Sequence, residues 1–281
     1  MRRLSYRYHM LLSFSEPVNR QNFTLRCFPQ SDERQQIEEL HTKIRPSYVG
    51  GTETDSYGNH CVYGFIENRH MEFGVDVSGT ATVRGEIFLP AGDSHRTGMY
   101  RYPTALTEPG PMLRKLYDDR HAVSGLEGDP EITELQEMCS GSSSGILQKA
   151  VLLMDRTHRS IKYVPGVTQI TTTAEEAAAL GVGVCQDYAH IMLALLRMEK
   201  IPCRYIVGMM LGEGASHAWV EVCDGMKWVP LDPTHNRLAD DRYICISRGR
   251  DAGDCSINRG YYYGSSNQVQ EVHVLVEDLD K

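Results

Sequence analysis

Three residues in the second half of the chain carry the side chains that nucleophilic catalysis by a thiol requires, namely Cys185, His217 and Asp232. Cys185 follows a glycine-rich loop and begins an apolar segment that predicts a buried helix ending before Pro202. At a helix N terminus, free backbone N–H groups and the positive end of the dipole favour a thiolate. The same N–H groups can receive the oxyanion of a tetrahedral intermediate. An isolated Gly-Val-Cys would still be more typical of a structural cysteine.

The strands that follow predict partners for this thiol. Residues 216–222 and 228–232 have the composition of two strands, and the Asp-Gly pair that begins at Asp224 is typical of a hairpin turn. Pairing about this turn brings His217, near the start of one strand, beside Asp232 at the end of the other. A neutral histidine can take the thiol proton, and a carboxylate can fix the tautomer and orientation of that histidine. The sequence therefore predicts a Cys–His–Asp triad for acyl transfer.

Three segments resemble the transglutaminase-like superfamily, which belongs to the papain-like cysteine enzymes in fold. They are Gly-Val-Gly-Val-Cys-Gln-Asp-Tyr-Ala-His at 181–190, Ser-His-Ala-Trp-Val-Glu-Val at 216–222 and Leu-Asp-Pro-Thr-His-Asn at 231–236. The resemblance is strongest to two-domain bacterial and archaeal members, described as transglutaminase-like proteins or cysteine proteases. It also extends to the N-terminal half at 55–59 and 70–73. It implies that Cys185 is the nucleophile, His217 the base and Asp232 the orienting acid.

Four further residues are candidates for substrate binding. Gly183 lacks a side chain, so a substrate backbone could approach it closely. Trp219 shares a strand face with His217, and its ring is predicted to shield the ion pair, bind substrate or pack in the core. His235 and Asn236 follow Asp232 closely and are predicted to line the cleft. No cofactor and no metal site are predicted, because the chain has no H-E-x-x-H, C-x-x-C, P-loop or dinucleotide motif.

The predicted fold class is α+β. A papain-like transglutaminase core, with the cysteine helix packed on an antiparallel sheet, follows an all-β domain that resembles a sandwich or barrel. The predicted domains are residues 1–105, which are β-rich, and residues 106–281, which are catalytic. Within them, Ser78-Gly79 is interpreted as a turn between two strands. Helices are predicted over 131–139 and 146–158, and Thr173 with Glu176 predicts a capping box for another.

Composition narrows the classes of partner and compartment. The net charge is −8 and there is no long Lys/Arg run, which argues against a nucleic-acid or membrane-surface partner. The apolar stretch at Met10–Leu12 is too short for a secretory signal, so a cytoplasmic location is predicted. The eight cysteines are interpreted as free thiols. The expected partner is a peptide or amide substrate, and the oligomeric state stays open.

The predicted reaction is cysteine-dependent acyl transfer on an amide or peptide bond through a thioester at Cys185. Hydrolysis, as in a cysteine peptidase or amidase, is favoured because water is abundant in any open cleft. Transamidation of the transglutaminase type begins with the same thioester and remains an alternative. A non-catalytic peptide-binding scaffold on the same fold is the alternative from another class.

Overall fold

The computed structural model describes residues 1–92, 97–118 and 145–280. The strands in these residues are β1 (Arg2–Leu25), β2 (Gln35–Arg45), β3 (Val49–Thr54), β4 (His60–Ile66), β5 (His70–Val83), β6 (Leu89–Pro90), β7 (Lys162–Tyr163), β8 (Val182–Gly183), β9 (Cys203–Met210), β10 (Gly212–Gly214), β11 (His217–Cys223), β12 (Lys227–Asp232), β13 (Arg237–Leu238), β14 (Tyr243–Gly249), β15 (Asn258–Tyr263) and β16 (Gln268–Asp278). The helices are α1 (Pro111–Asp118), α2 (Ile146–Ser160), α3 (Ala174–Leu180) and α4 (Cys185–Met198).

The N-terminal half is built around β1, which is 24 residues long. Its first part pairs with β5 and β16, and its second part pairs with β4 and β15, with a register shift between Ser13 and Val18. Alternate residues from Leu4 to Phe14 are buried, as expected for a strand with one face on the core.

The predicted turn at Ser78-Gly79 is wrong. Both residues lie inside the continuous strand β5, which pairs with β1 on one side and β2 on the other. A Cβ atom at Gly79 would meet the Glu39 carbonyl oxygen at 1.9 Å and the Tyr6 hydroxyl at 2.6 Å. The glycine therefore allows close approach of a neighbouring strand and does not mark a turn.

The second sheet has the order β13-β12-β11-β9-β14, and all of these pairs are antiparallel. Helix α4 lies against it, and every residue of α4 from Asp187 to Arg197 is buried. Such a helix is apolar nearly all round because protein surrounds it on all sides. The α+β fold class is confirmed, with the cysteine helix packed on an antiparallel sheet as the sequence predicted.

The two helices that precede α4 also follow their sequence signals. Helix α2 covers the predicted range 146–158, and α3 begins with the predicted capping box between Thr173 and Glu176. Gly181 ends α3 in the left-handed conformation, with φ of 68°. The predicted helix over 131–139 lies outside the described residues.

The last two strands, β15 and β16, return to the N-terminal half and pair with β1. Strand β10, from the connection between β9 and β11, pairs in turn with β16. The predicted domain division at residue 105 did not include this return, and the domain bounds stay a prediction. None of the described helices has the length and apolar character needed to cross a membrane.

Candidate active site

Cys185 is the first residue of α4, at the end of the loop that the glycines precede. Its side chain is half-buried, whereas the six other cysteines within the described residues are buried. A reactive thiol needs access to solvent as well as a polar environment, and a buried structural thiol is inert. Cys185 is therefore the described cysteine that a substrate can reach.

The start of α4 is fixed by Asp187. Its Oδ2 accepts hydrogen bonds from the Val184 backbone N–H and the Thr168 hydroxyl, both at 2.7 Å. Burial raises the pKa of this carboxyl above its usual value, although these hydrogen bonds oppose the rise. A Cβ atom at Gly183 would lie 2.7 Å from the Asp187 side chain, so the cap requires glycine there. This gives Gly183 a packing role, and the substrate contact predicted for it stays a prediction.

His217 and Asp232 are joined directly. His217 begins β11, Asp232 ends β12, and His217 Nε2 lies 2.8 Å from Asp232 Oδ2. The hairpin predicted at Asp224 is the turn between the two strands, with Cys223 opposite Trp228. Cys185 and His217 line the same two clefts, and the Cys185 side chain is near enough to help raise the pKa of His217. Because Nε2 faces Asp232, the nitrogen available to the thiol is Nδ1. The structure thus brings the three predicted residues together in the predicted order.

The charged forms of His217 and Asp232 stabilise each other. Burial alone would lower the pKa of His217, but hydrogen bonds and charge interactions with Asp232 and Cys185 raise it to about 10. Burial would raise the pKa of Asp232, but hydrogen bonds from His217 and His235 hold it far below its usual range. At neutral pH, His217 is therefore an imidazolium ion and Asp232 a carboxylate. A positive ring beside Cys185 stabilises a negative sulfur.

Tyr243 is a member of the site that sequence reasoning did not identify. Its hydroxyl donates to Asp232 Oδ2 at 2.8 Å, on the same oxygen that faces His217. Tyr243 begins β14, and two strands, β11 and β9, lie between β14 and β12 in the sheet. Burial and the Asp232 charge raise the pKa of Tyr243, so the phenol keeps its proton and remains a donor. No motif around Tyr243 signals this contact.

Trp219 packs behind the histidine. Its ring is stacked with that of His217, with a centroid distance of 6.3 Å and an interplanar angle of 23°, and it meets Tyr243 edge to face. The side chain is fully buried. Trp219 also lies in a buried apolar cluster with Ile206 and Ala239, so packing in the core and shielding of the ion pair both stay predicted roles. The ring exposes no surface that a substrate could contact.

His235 and Asn236 lie on different sides of the site. His235 Nδ1 lies 2.7 Å from Asp232 Oδ2, and 37% of the side chain remains exposed in the cleft. The amide of Asn236 donates instead to Asp155 of α2, at 3.0 Å. His235 therefore occupies a position from which it can touch substrate, whereas the Asn236 amide fixes the loop against α2. Both substrate-binding roles stay predictions.

Two clefts meet at Cys185 and His217. The rim cleft, of about 460 Å³, is also lined by residues 210–216, Tyr163, Thr234, His235 and Val274. The sheet cleft, of about 310 Å³, is lined on its far side by Tyr8, Gln270 and Val272 of β1 and β16. A substrate that places its scissile bond at Cys185 has space on both sides of that bond. The N-terminal sheet forms part of both walls.

His217, Asp232 and His235 are also the one group among the described residues with the donor types of a metal site. Their nearest ligand atoms lie within 4.8 Å of one another. The two histidine–carboxylate hydrogen bonds, of 2.8 and 2.7 Å, account for this spacing. The geometry therefore fits a hydrogen-bonded carboxylate better than a metal centre.

Comparison with known protein families shows to which family this chain is related. Residues 133–233 match the core of the transglutaminase-like superfamily, and residues 4–82 match the bacterial transglutaminase-like N-terminal region. The chain belongs to the transglutaminase-like superfamily. Membership supports a general cysteine-dependent activity and agrees with the resemblance found in the three sequence segments.

Individual proteins resemble most of this chain in sequence or in fold. Uncharacterized proteins from Mycobacterium bovis and Mycobacterium tuberculosis are 29% identical over 283 residues, covering 88% of this chain and 84% of their own length. A crystal structure of a "putative cysteine protease" from Cytophaga hutchinsonii superimposes with a TM-score of 0.68. It is 19% identical and covers all of this chain and 92% of its own, so this likeness concerns the fold.

Proposed function

We propose that this member of the transglutaminase-like superfamily transfers acyl groups from amide or peptide bonds through a thioester at Cys185, with water as the main acceptor. The observation that carries the proposal is the hydrogen bond between His217 and Asp232, with Cys185 beside His217 at the point where two clefts meet. Cys185 is the nucleophile, His217 the proton carrier, and Asp232 the group that orients and charges His217.

The first half-reaction forms the thioester. The Cys185 sulfur attacks the carbonyl carbon, and the π electrons of the carbonyl move to its oxygen. Backbone N–H groups at the start of α4 lie beside the thiol and can stabilise this oxyanion. The C–N bond then breaks, and His217 Nδ1 gives its proton to the leaving amine.

The second half-reaction releases the acyl group. A water molecule takes the place of the departed amine and loses a proton to His217 as its oxygen attacks the thioester carbon. The C–S bond breaks, the carboxylic acid leaves, and the proton on His217 once more faces the Cys185 sulfur. Asp232 remains ionised throughout, because His217, His235 and Tyr243 all donate hydrogen bonds to it.

Water is favoured over an amine acceptor because both clefts are open to solvent. An amine competes only if the site excludes water and holds the amine in line with the thioester. Trp219 is fully buried and Trp228 nearly so, so neither ring forms the wall of an acceptor channel. Transamidation remains the second candidate, since the same thioester begins both reactions.

The proposal is tested with unfolded casein and a fluorescent primary amine, supplied in graded amounts to the same reaction. We expect free carboxylic acid products, from cleaved peptide bonds or deamidated glutamine, with little fluorescence in the protein fraction. Cys185→Ala is the control for contaminating activity. Dominant incorporation of the amine at low millimolar concentration would replace hydrolysis by transamidation. Equal product from the Cys185→Ala protein would contradict the nucleophile itself.

A further inference from the structure

The segment between β9 and His217 runs along one wall of the rim cleft. We call Gly212–Ala215 the rim, and all four of its residues are exposed. Three of them form β10, which pairs with β16 and is an edge strand of the N-terminal sheet. The same residues line the cleft that contains Cys185 and His217. A sheet edge is therefore exposed within the candidate active site.

The backbone of this edge has free hydrogen-bonding groups whichever residues face β16. In an antiparallel pair, a residue that directs its N–H and C=O toward the partner alternates with one that directs both away. The register pairs Gly212, Glu213 and Gly214 with consecutive residues of β16. Either Glu213 or both glycines must then point their backbone groups away from β16. Within the described residues, no other strand pairs with this edge.

The side chains of the rim leave this edge accessible. A Cβ atom at Gly212 or Gly214 would meet no atom within 4 Å, so both glycines border open space. Glu213 is the only acidic side chain among the residues that line the rim cleft. An added strand must come within about 5 Å of the edge, and two glycines flanking one side chain allow that approach.

We infer that the rim binds the acyl-donor substrate as an extended peptide, which adds a strand to β10 and so directs its scissile bond to Cys185. The inference rests on the proposed function and names its substrate class: polypeptide in extended conformation. His217 is four positions after Glu213, at most about 13 Å along an extended chain. The pairing therefore involves the substrate residues three or four positions from the scissile bond. Main-chain hydrogen bonds supply affinity with little demand on sequence, as in other cases of strand addition.

This placement explains why the N-terminal sheet reaches the catalytic residues. Strand β16 pairs with β1 along eleven residues and with β10 at its other edge. A peptide on β10 would extend a sheet that already has its own core, so the rim is held from behind as the substrate approaches. The apolar side chains of Met210, Leu211 and Val274 beside the rim favour apolar substrate residues.

Peptide aldehydes provide the probe, because a thiolate adds to an aldehyde without needing a cleavable bond. The experiment compares acetyl-Val-Leu-Val-glycinal, the same compound with one backbone nitrogen methylated at each position in turn, and the short acetyl-glycinal. Adduct formation at Cys185 is measured by the loss of iodoacetamide labelling. Backbone amide exchange of residues 211–217 is followed in each complex, with the Cys185→Ala protein as the control.

We expect the long aldehyde to bind at least tenfold more tightly than the short one and to slow amide exchange in the rim. Methylation at one or two of its nitrogens should remove both effects, while methylation elsewhere leaves them. Equal affinity of the long and short compounds, with unchanged exchange in the rim, would overturn strand addition but leave the thiol chemistry intact. If neither aldehyde protects Cys185, the proposed nucleophile fails, and the inference fails with it.

Discussion

The rim and the opposite side of the site are built in contrasting ways. The sheet wall, which we define as His217, Trp219, Asp232 and Tyr243, is buried, and each polar side chain in it but the indole of Trp219 has a hydrogen-bond partner. The rim is exposed and offers backbone groups. A reaction that moves protons needs fixed side chains, whereas recognition of varied peptides needs groups common to all of them. The sheet wall is therefore suited to the chemistry, and the rim is suited to substrate selection.

The sheet wall is fixed by one carboxylate oxygen. Asp232 Oδ2 accepts hydrogen bonds from His217, His235 and Tyr243 at 2.7 to 2.8 Å. Its other oxygen accepts from the backbone N–H groups of Thr234 and His235. A buried carboxylate is costly unless such donors surround it, and these donors also fix its direction. Substitutions in the sheet wall should therefore impair turnover, and their effects should decrease with distance from the reacting bond.

The largest effect is expected from the residues that exchange electrons or protons with substrate. Cys185→Ala and His217→Ala should each lower kcat/KM for an amide substrate by about 10³-fold or more, because neither function has a substitute nearby. The measurement is steady-state hydrolysis, with circular dichroism to verify folding. Cys223→Ala and His41→Ala are matched controls outside the site and should retain activity. A similar loss in the controls would contradict the assignment.

Asp232→Asn should cause a loss about one to two orders of magnitude smaller than that of Cys185→Ala, because the amide leaves His217 in place but cannot stabilise its charge. The pKa of His217 is about 10 with the carboxylate present, so proton donation to the leaving amine should fail as pH rises through that value. Without the carboxylate, this loss should begin at lower pH. The pH profile of kcat/KM measures both effects, and an unchanged upper limb in Asp232→Asn would contradict the role of Asp232.

Tyr243→Phe should have the smallest effect, a loss of about three- to tenfold in kcat with KM nearly unchanged. The substitution removes one hydrogen bond to Asp232, worth about 1 kcal/mol, and keeps the ring that packs against Trp219. Because the freed carboxylate oxygen can interact more strongly with His217, the pKa of His217 should rise. The upper limb of the pH profile should therefore move to higher pH. A change confined to thermal stability, with normal kcat and pH profile, would make Tyr243 a purely structural residue.

The sequence predicts the chemical part of the site because its signals are local. The Asp-Gly turn at Asp224 sets the register of β11 and β12, and the register places His217 near Asp232. The helix that begins at Cys185 is likewise set by nearby glycines and a continuous apolar segment. The capping box of α3 depends on two residues three positions apart.

The remaining features depend on contacts between distant segments. Tyr243 reaches Asp232 across two strands, and no local pattern encodes the order of strands in a sheet. Pairing of β16 with both β1 and β10 is equally non-local, so the rim could not be recognised as a sheet edge from its sequence. The turn predicted at Gly79 is wrong for the same reason, since the strand that this glycine accommodates lies forty residues earlier in the chain.

Intact-protein mass spectrometry after brief reaction with p-nitrophenyl acetate would show whether Cys185 carries the acyl group. We expect one added acetyl group per chain, mapped to Cys185 by peptide digestion, which disappears with time as water releases it. His217→Ala should acquire the group far more slowly, and Cys185→Ala should not acquire it. Acetylation spread over several cysteines or lysines at similar rates, with Cys185 not preferred, would contradict the role of Cys185 as nucleophile and favour a non-catalytic scaffold.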